Sequence, residues 1–266
     1  ELKYQYAQQD SNQTYLGLTD ADFKANPYRR YGVSALDNIT TEHNQLILRH
    51  EFTISDGATL TTTAYNNEHK RSWYKLQKLN GGSWGDVIEE INSGGTNAAI
   101  YQAILDGGDS AVGAVRLRDN NRQYYSRGVA FKLDIQAGVH DLEMGLRIHK
   151  DEEDRLQRDD NYEQTNGTLV LNTKDELGEA GNRVVQAEAV AFYVHDTINL
   201  GDWVLTPGIR FEDIELSRRD FTGGSDRVLD KRSGNSVTAV LPSLGALYQV
   251  NDSLSLLAGV HSGFGS

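Results

Sequence analysis

Gly81-Gly82-Ser83-Trp84-Gly85 has the G-x-S-x-G spacing that can present a serine hydroxyl as a nucleophile, and Asp86–Ile91 beyond it could form a helical turn. Such an elbow requires a strand, a sharp turn and a helix within a chain that alternates strands and helices. Nothing else here alternates in that way, so a glycine-rich loop explains the pattern more simply. Asp151-Glu152-Glu153-Asp154, with Asp159, Asp160 and Glu163, forms an acidic stretch after His149 that is read as a loop. Oxygen-rich clusters can hold Ca²⁺, but the spacing is not that of an EF-hand, and a solvated charged loop is the default. The histidines show no H-E-x-x-H spacing, and no metal ligands are assigned. Basic and aromatic residues are the stronger candidates. They comprise Tyr28, Arg29, Arg30 and Tyr31 in one loop, then Arg116, Arg118, Arg122 and Arg127, with Trp73 and Trp84 flanking the start of the second loop. A guanidinium matches carboxylate oxygens in bidentate geometry. Against this stands pairing of each arginine with an Asp or Glu of its own loop, the slightly favoured reading for any single residue.

The elements that hold these residues are strands. Val190, Phe192, Val194, Ile198 and Leu200 share one face, continued after Gly201-Asp202 by Trp203, Leu205, Pro207, Ile209 and Phe211. Glu188, Tyr193, His195, Thr206, Gly208, Arg210 and Glu212 are assigned to the opposite face. Alternation of this kind marks a hairpin with one apolar and one polar surface. Nine strands are expected, at about 1–9, 39–55, 58–76, 122–136, 139–151, 184–199, 202–218, 236–250 and 253–264. His149, His195 and His261 fall on polar faces, where hydrogen bonding is their expected role. Pro207 and Pro242 sit inside expected strands although proline cannot donate to a ladder.

Short turns at Ser55–Ala58, Ala137-Gly138, Leu200–Asp202 and Asn251-Asp252 alternate with long polar stretches at about 10–38, 77–121, 152–183 and 219–235. In an up-and-down meander this puts every short turn at one end and every long loop at the other, as in outer-membrane barrels. A Greek-key sandwich or a propeller has no reason to sort its loops so. The absence of an 18-residue apolar run removes a transmembrane helix but not a barrel, whose strands give only short alternating segments. The net charge of −12 argues against nucleic acid, which requires clustered cations. With no cysteine in the chain, thiolate sites and disulfides are excluded. The chain begins as if inside a strand and ends without a terminal element, so it is read as an excerpt of a longer protein.

Phe192–Thr197 with Gly201–Glu212 resembles a strand pair of TonB-dependent outer-membrane receptors. Leu241–Tyr248 and Gly259–Phe264 look like that family's next hairpin, and the two prolines fit its pattern. Tyr15–Phe23, followed by Asn26-Pro27-Tyr28-Arg29-Arg30-Tyr31, resembles a loop of the ferric-citrate-receptor-like branch. The resemblance implies an all-β fold, an antiparallel up-and-down transmembrane barrel. About nine strands of a barrel of roughly 22 would be present, with long outer loops and short periplasmic turns. Residues 1–266 would be part of one barrel domain, with the plug domain and the remaining strands outside this chain.

By the same resemblance the protein sits in the outer membrane of a Gram-negative cell and takes up a ferric chelate, ferric citrate or another siderophore, rather than acting as an enzyme. No covalently bound cofactor is implied; iron arrives inside the transported chelate. Partners would be the chelate, the TonB complex through the plug region, and outer-membrane lipid and lipopolysaccharide, with no nucleic acid. Tyr28, Arg29, Arg30, Tyr31, Trp73, Trp84, Arg116 and Arg118 are the candidate ligand contacts. The alternatives are a passive porin and, further off, a Ser83 hydrolase.

Overall fold

The computed structural model describes residues 1–265. Ten strands form one antiparallel sheet: β1 (Leu2–Ser11), β2 (Asn38–Ser55), β3 (Ala58–Leu79), β4 (Val115–Ala137), β5 (His140–Thr165), β6 (Thr168–Lys174), β7 (Gly181–Leu200), β8 (Trp203–Thr222), β9 (Val228–Asn251) and β10 (Leu254–His261). Neighbours follow chain order, except that β6 folds back on the far half of β5 while β7 takes the near half. β1 and β10 are the two edges, and the sheet is open between them among the described residues. The expected antiparallel meander is therefore present, as an incomplete barrel.

Cross-strand register defines two faces. Thr62, Phe131, Leu146, Phe192, Phe211 and Val240 are successive partners across six strands. The next row on that face toward the short turns is Leu60, Leu133, Met144, Val194, Ile209 and Pro242. Phe192 and Ile209 remain 45% and 50% exposed. An apolar surface of this extent on an isolated sheet marks contact with something apolar. The reverse face is polar: Lys132 reaches Asp134 at 2.8 Å, and Tyr193 donates to Glu143 at 2.6 Å. Gly145 lies under the Tyr193 ring, where a Cβ would come within 2.0 Å of a ring carbon.

The prolines fit this ladder for a local reason. Register between β7 and β8 lapses from His195↔Gly208 to Ile198↔Leu205, so Pro207 falls in a gap. The Pro242 carbonyl accepts from Ser262 N at 2.9 Å, just beyond the last β9–β10 pair. The N–H that Pro242 lacks thus corresponds to the end of an edge strand, where its loss matters least.

The strands run past the expected boundaries. β4 starts at Val115, β5 continues to Thr165, β9 starts at Val228, and β6 was not anticipated. The acidic stretch from Asp151 through Asp159, Asp160 and Glu163 is consequently strand β5, not a loop. Arg116 and Arg118, expected in the stretch before the fourth strand, lie on β4 together with Arg122 and Arg127. Hydropathy alternation does not reveal this, because polar residues fall on both faces of most of these projecting ends, and the apolar Val115 and Leu117 are too few to mark a strand. Glu188 also changes sides: it pairs with Lys150 and Glu215, on the face that carries Val190.

A small helical layer covers one end of the sheet. It comprises α1 (Asp20–Ala25), α2 (Trp84–Ser93) and α3 (Ala98–Leu105), with a 3₁₀ turn at Gly32–Ser34. Leu16, Tyr31, Val33, Trp84, Val87 and Ile104 pack on Leu76, Leu79, Val115 and Leu117 to make the main buried core. Those four strand residues share their pleat face with the apolar band lower down. The opposite, polar face of the same strands does not contribute to this core.

Candidate ligand-binding site

Four arginines stand side by side on the polar face. Arg71 of β3 is the register partner of Arg122 of β4, Arg122 of Arg155 of β5, and Arg155 of Arg183 of β7. Like charges directly opposite one another destabilise a sheet unless something compensates. One carboxylate does so in part: Glu153 accepts from Arg122 Nη1 at 3.2 Å and lies 3.0 Å from Arg155 Nη2. Arg71 and Arg183 make no ion pair among the described residues, and the buried Nε of each lacks a hydrogen-bond partner. Burial, together with the neighbouring Arg122 and Arg183, pulls Arg155 below its usual range. Such a row of cations concentrates positive potential on this face of the sheet.

Aromatic and basic side chains frame the row. The Arg71 guanidinium lies 5.8 Å from the Tyr124 ring centroid, and the His69 ring is also 5.8 Å from it. His69 is held below its usual pKa by burial and then by the charges of His43 and Arg71. On the loop side of the row, Lys75 Nζ sits 3.8 Å from the Tyr15 ring centroid and 4.4 Å from that of Trp73. Its pKa is lowered by burial, and Arg71, Arg122 and Arg118 add to that. Arg122 is seven residues from Val129 of the apolar band, about 23 Å along an extended strand. The row therefore belongs to the projecting half of the sheet.

The sequence-derived candidates are dispersed. Tyr28 is 89% exposed, and Arg30 is exposed beside it. Arg29 is ion-paired with Asp22 and, at 2.6 Å, with Asp106. Tyr31 is buried, donating to Asp22 Oδ2 at 2.8 Å, and its ring lies 5.7 Å from that of Trp84. Arg29, Tyr31 and Trp84 thus bind the helical layer together. Arg118 is held by both oxygens of Asp159, at 2.6 and 2.9 Å, and Arg116 donates to Asn161 at 3.1 Å. Pairing within the structure therefore prevails for Arg29, Arg116 and Arg118. Trp73 faces the arginine row's side of the sheet, whereas Trp84 is in the core on the other side, so the two tryptophans do not form one site.

Of the row itself, sequence reasoning singled out Arg122 alone. Arg71, Arg155 and Arg183 come from separate strands, and only the register joins them. Arg127 points to the opposite face, as the partner of Asn66 and Lys150. His149 behaves as expected of a polar-face histidine, hydrogen-bonded to Tyr65 and, at 2.7 Å, to Asp151. Ser83 caps α2: its hydroxyl accepts from Asp86 N, and Asp86 Oδ2 accepts from Ser83 N at 3.0 Å, which closes a capping box. Its backbone is extended, without the strain of a nucleophile elbow.

A family model described as "TonB dependent receptor-like, beta-barrel" matches residues 1–266. The chain belongs to the TonB-dependent receptor family. Its structural neighbours include the ferric citrate transporter FecA in the unliganded form, at 21% identity and a TM-score of 0.63, covering 97% of this chain and 32% of that one. The ferric-catecholate import receptor Fiu from E. coli K12 aligns at 15% identity and a TM-score of 0.65, over 94% of this chain and 42% of its own. The siderophore receptor PiuA from Acinetobacter baumannii aligns at 15% identity and 0.62, over 94% and 37%. This chain spans about a third to two fifths of the length of these receptors. The family places barrels of this kind in the outer membrane of Gram-negative bacteria, and it consists of transport receptors rather than enzymes. In a TonB-dependent receptor barrel the apolar face meets lipid and the polar face lines the lumen, which puts the four arginines on the lumenal wall.

Proposed function

We propose that this TonB-dependent receptor barrel captures an anionic ferric chelate on its lumenal wall and passes it inward. The row Arg71–Arg122–Arg155–Arg183, with one carboxylate shared between its two central members, carries this reading. A chelate whose iron is wrapped in carboxylates presents oxygens at the spacing a guanidinium fork accepts. Desolvated, partly unpaired arginines are already in position, so binding need not first break strong ion pairs. FecA, the neighbour with the highest identity among those described, is a ferric citrate transporter, and a ferric carboxylate is the ligand class we assign. Release into the cell would require the plug domain and contact with TonB, contributed by parts of the receptor outside this chain. A passive porin would use the same strands but belongs to a different family.

Binding of ferric citrate and of a neutral ferric hydroxamate to the intact receptor tests the assignment. The anionic chelate should bind, and Arg71→Gln together with Arg183→Gln should weaken it while leaving the neutral one unaffected. Equal binding of both chelates by wild type, or an unchanged ferric citrate affinity in the double variant, would remove the arginine row from the mechanism.

A further inference from the structure

Two histidines oppose each other on the lumenal wall. His43 of β2 is the register partner of His69 of β3, and their ring centroids lie 5.8 Å apart. Both sit one pleat step below the arginine row, on the same face as Arg71. Tyr124 packs beside His69, while the β1 partner of His43 is the small Ala7. His149, lower on this face, has both ring nitrogens hydrogen-bonded. His43 and His69 make no hydrogen bond among the described residues, and the contacts of their rings are with aromatic rings. One step further down, the buried Oδ1 of Asn67 also lacks a hydrogen-bond partner. Two imidazoles and an amide oxygen are thus gathered in adjacent rows of one strand pair, joined by register and invisible to any search for H-E-x-x-H spacing.

Opposed residues of an antiparallel pair have Cβ atoms about 4.5–5.5 Å apart. Metal–nitrogen bonds of about 2.0–2.1 Å at a tetrahedral angle set two imidazole centroids roughly 5 Å apart. A slight turn of either ring therefore brings both nitrogens onto one ion. Imidazole ligands suit Cu²⁺, Ni²⁺ and Zn²⁺, and Cu²⁺ binds tightest of the three. We propose that His43 and His69 form a binding site for a divalent late transition metal, with Asn67 Oδ1 as a third donor. Arg71, one step above His69, opposes a dication, so Arg71→Gln should tighten the site. The site stands apart from the ferric-chelate reading: chelate binding lost in the arginine variants and metal binding lost in histidine variants are separate outcomes.

The probe is Cu²⁺, added at one equivalent to the intact receptor purified without a histidine tag, with electron paramagnetic resonance to count the coordinating nitrogens. Wild type is expected to show two imidazole nitrogens. His43→Gln and His69→Gln, on different strands, should each reduce that count to one. Each should also weaken binding more than about tenfold, beyond the loss of a merely supporting partner. Unchanged heat-modifiability on gels identifies the variants that still form the barrel. Fewer than two coordinating nitrogens in wild type overturns the proposal. So does a two-nitrogen spectrum that survives in either histidine variant.

Discussion

Arg122 and Arg155 face each other across the β4–β5 ladder and grip one carboxylate, that of Glu153, at 3.2 and 3.0 Å. Glu153 therefore relieves repulsion between two cations while occupying the centre of a wall we assign to anion capture. Glu153→Gln is expected to destabilise the barrel by about 1–2 kcal/mol, since it leaves like charges opposed. It should also raise ferric citrate affinity by vacating the two guanidinium groups. Denaturant unfolding and equilibrium binding on the same variant check both halves; a parallel loss of stability and affinity would contradict this arrangement.

Arg71 and Arg183 make no ion pair among the described residues, although Asp220 stands opposite Arg183 across the β7–β8 ladder. Replacing either by Gln should leave stability unchanged or slightly improved, and should cut ferric citrate affinity about tenfold, the scale of one charge-assisted hydrogen bond. The affinity difference from wild type should shrink in high salt if the contribution is electrostatic.

Asp37 lies between the loop after β1 and the start of β2, accepting from Leu76 N at 2.9 Å. Burial pushes its carboxyl up to about 6, against partial relief from Thr14, Leu76 N and Lys75. The folded loop binds this proton more tightly than the open loop does, so its stability is greatest below about pH 4 and falls as pH rises toward 6, then levels off. Hydrogen exchange across residues 12–37 should be roughly tenfold faster at pH 7.5 than at pH 4.5 after correction for intrinsic rates. Asp37→Asn retains the acceptor and should flatten the profile.

Leu146 faces lipid in the middle of the band, and Thr63 faces the lumen near the same height. Leu146→Arg should cost about 2–4 kcal/mol of barrel stability in lipid, and Thr63→Arg much less. Heat-modifiability on gels and unfolding in vesicles would compare them. Equal tolerance of the two charges would undercut the assignment of faces.

Ser83→Ala removes an N-cap and should destabilise α2 by about 1 kcal/mol, visible as faster exchange over 84–93. Esterase activity lost on that substitution would revive the hydrolase alternative; the capping box leads us to expect no activity in either protein.

Strand by strand, legibility followed contact with lipid. Where one face meets hydrocarbon and the other water, as in Leu142–Ile148 or Ile209–Phe211, alternation is written into the residue types and the faces were read correctly. Beyond the band, β5 continues as Glu152–Thr165 with polar residues on both sides, and composition there could not be told from a loop. One local signal was available: Asn166-Gly167, both at positive φ, is the turn that joins β5 to β6, and an Asn-Gly pair is a strong hairpin marker.

What the sequence determined by itself was the class of fold, the face that meets lipid, and the placing of the turns at Ser55–Ala58, Ala137-Gly138, Leu200–Asp202 and Asn251-Asp252 at one end. These depend on neighbours one or two residues apart, and the chain carries them directly. Only the tertiary structure decided which cations are free. Arg116 and Arg118 are engaged by Asn161 and Asp159, whereas Arg71 and Arg183, more than a hundred residues apart, join one row through strand register. Ladder pairing sums offsets over every intervening strand, so a shift of one residue anywhere would have turned these side chains to the other face.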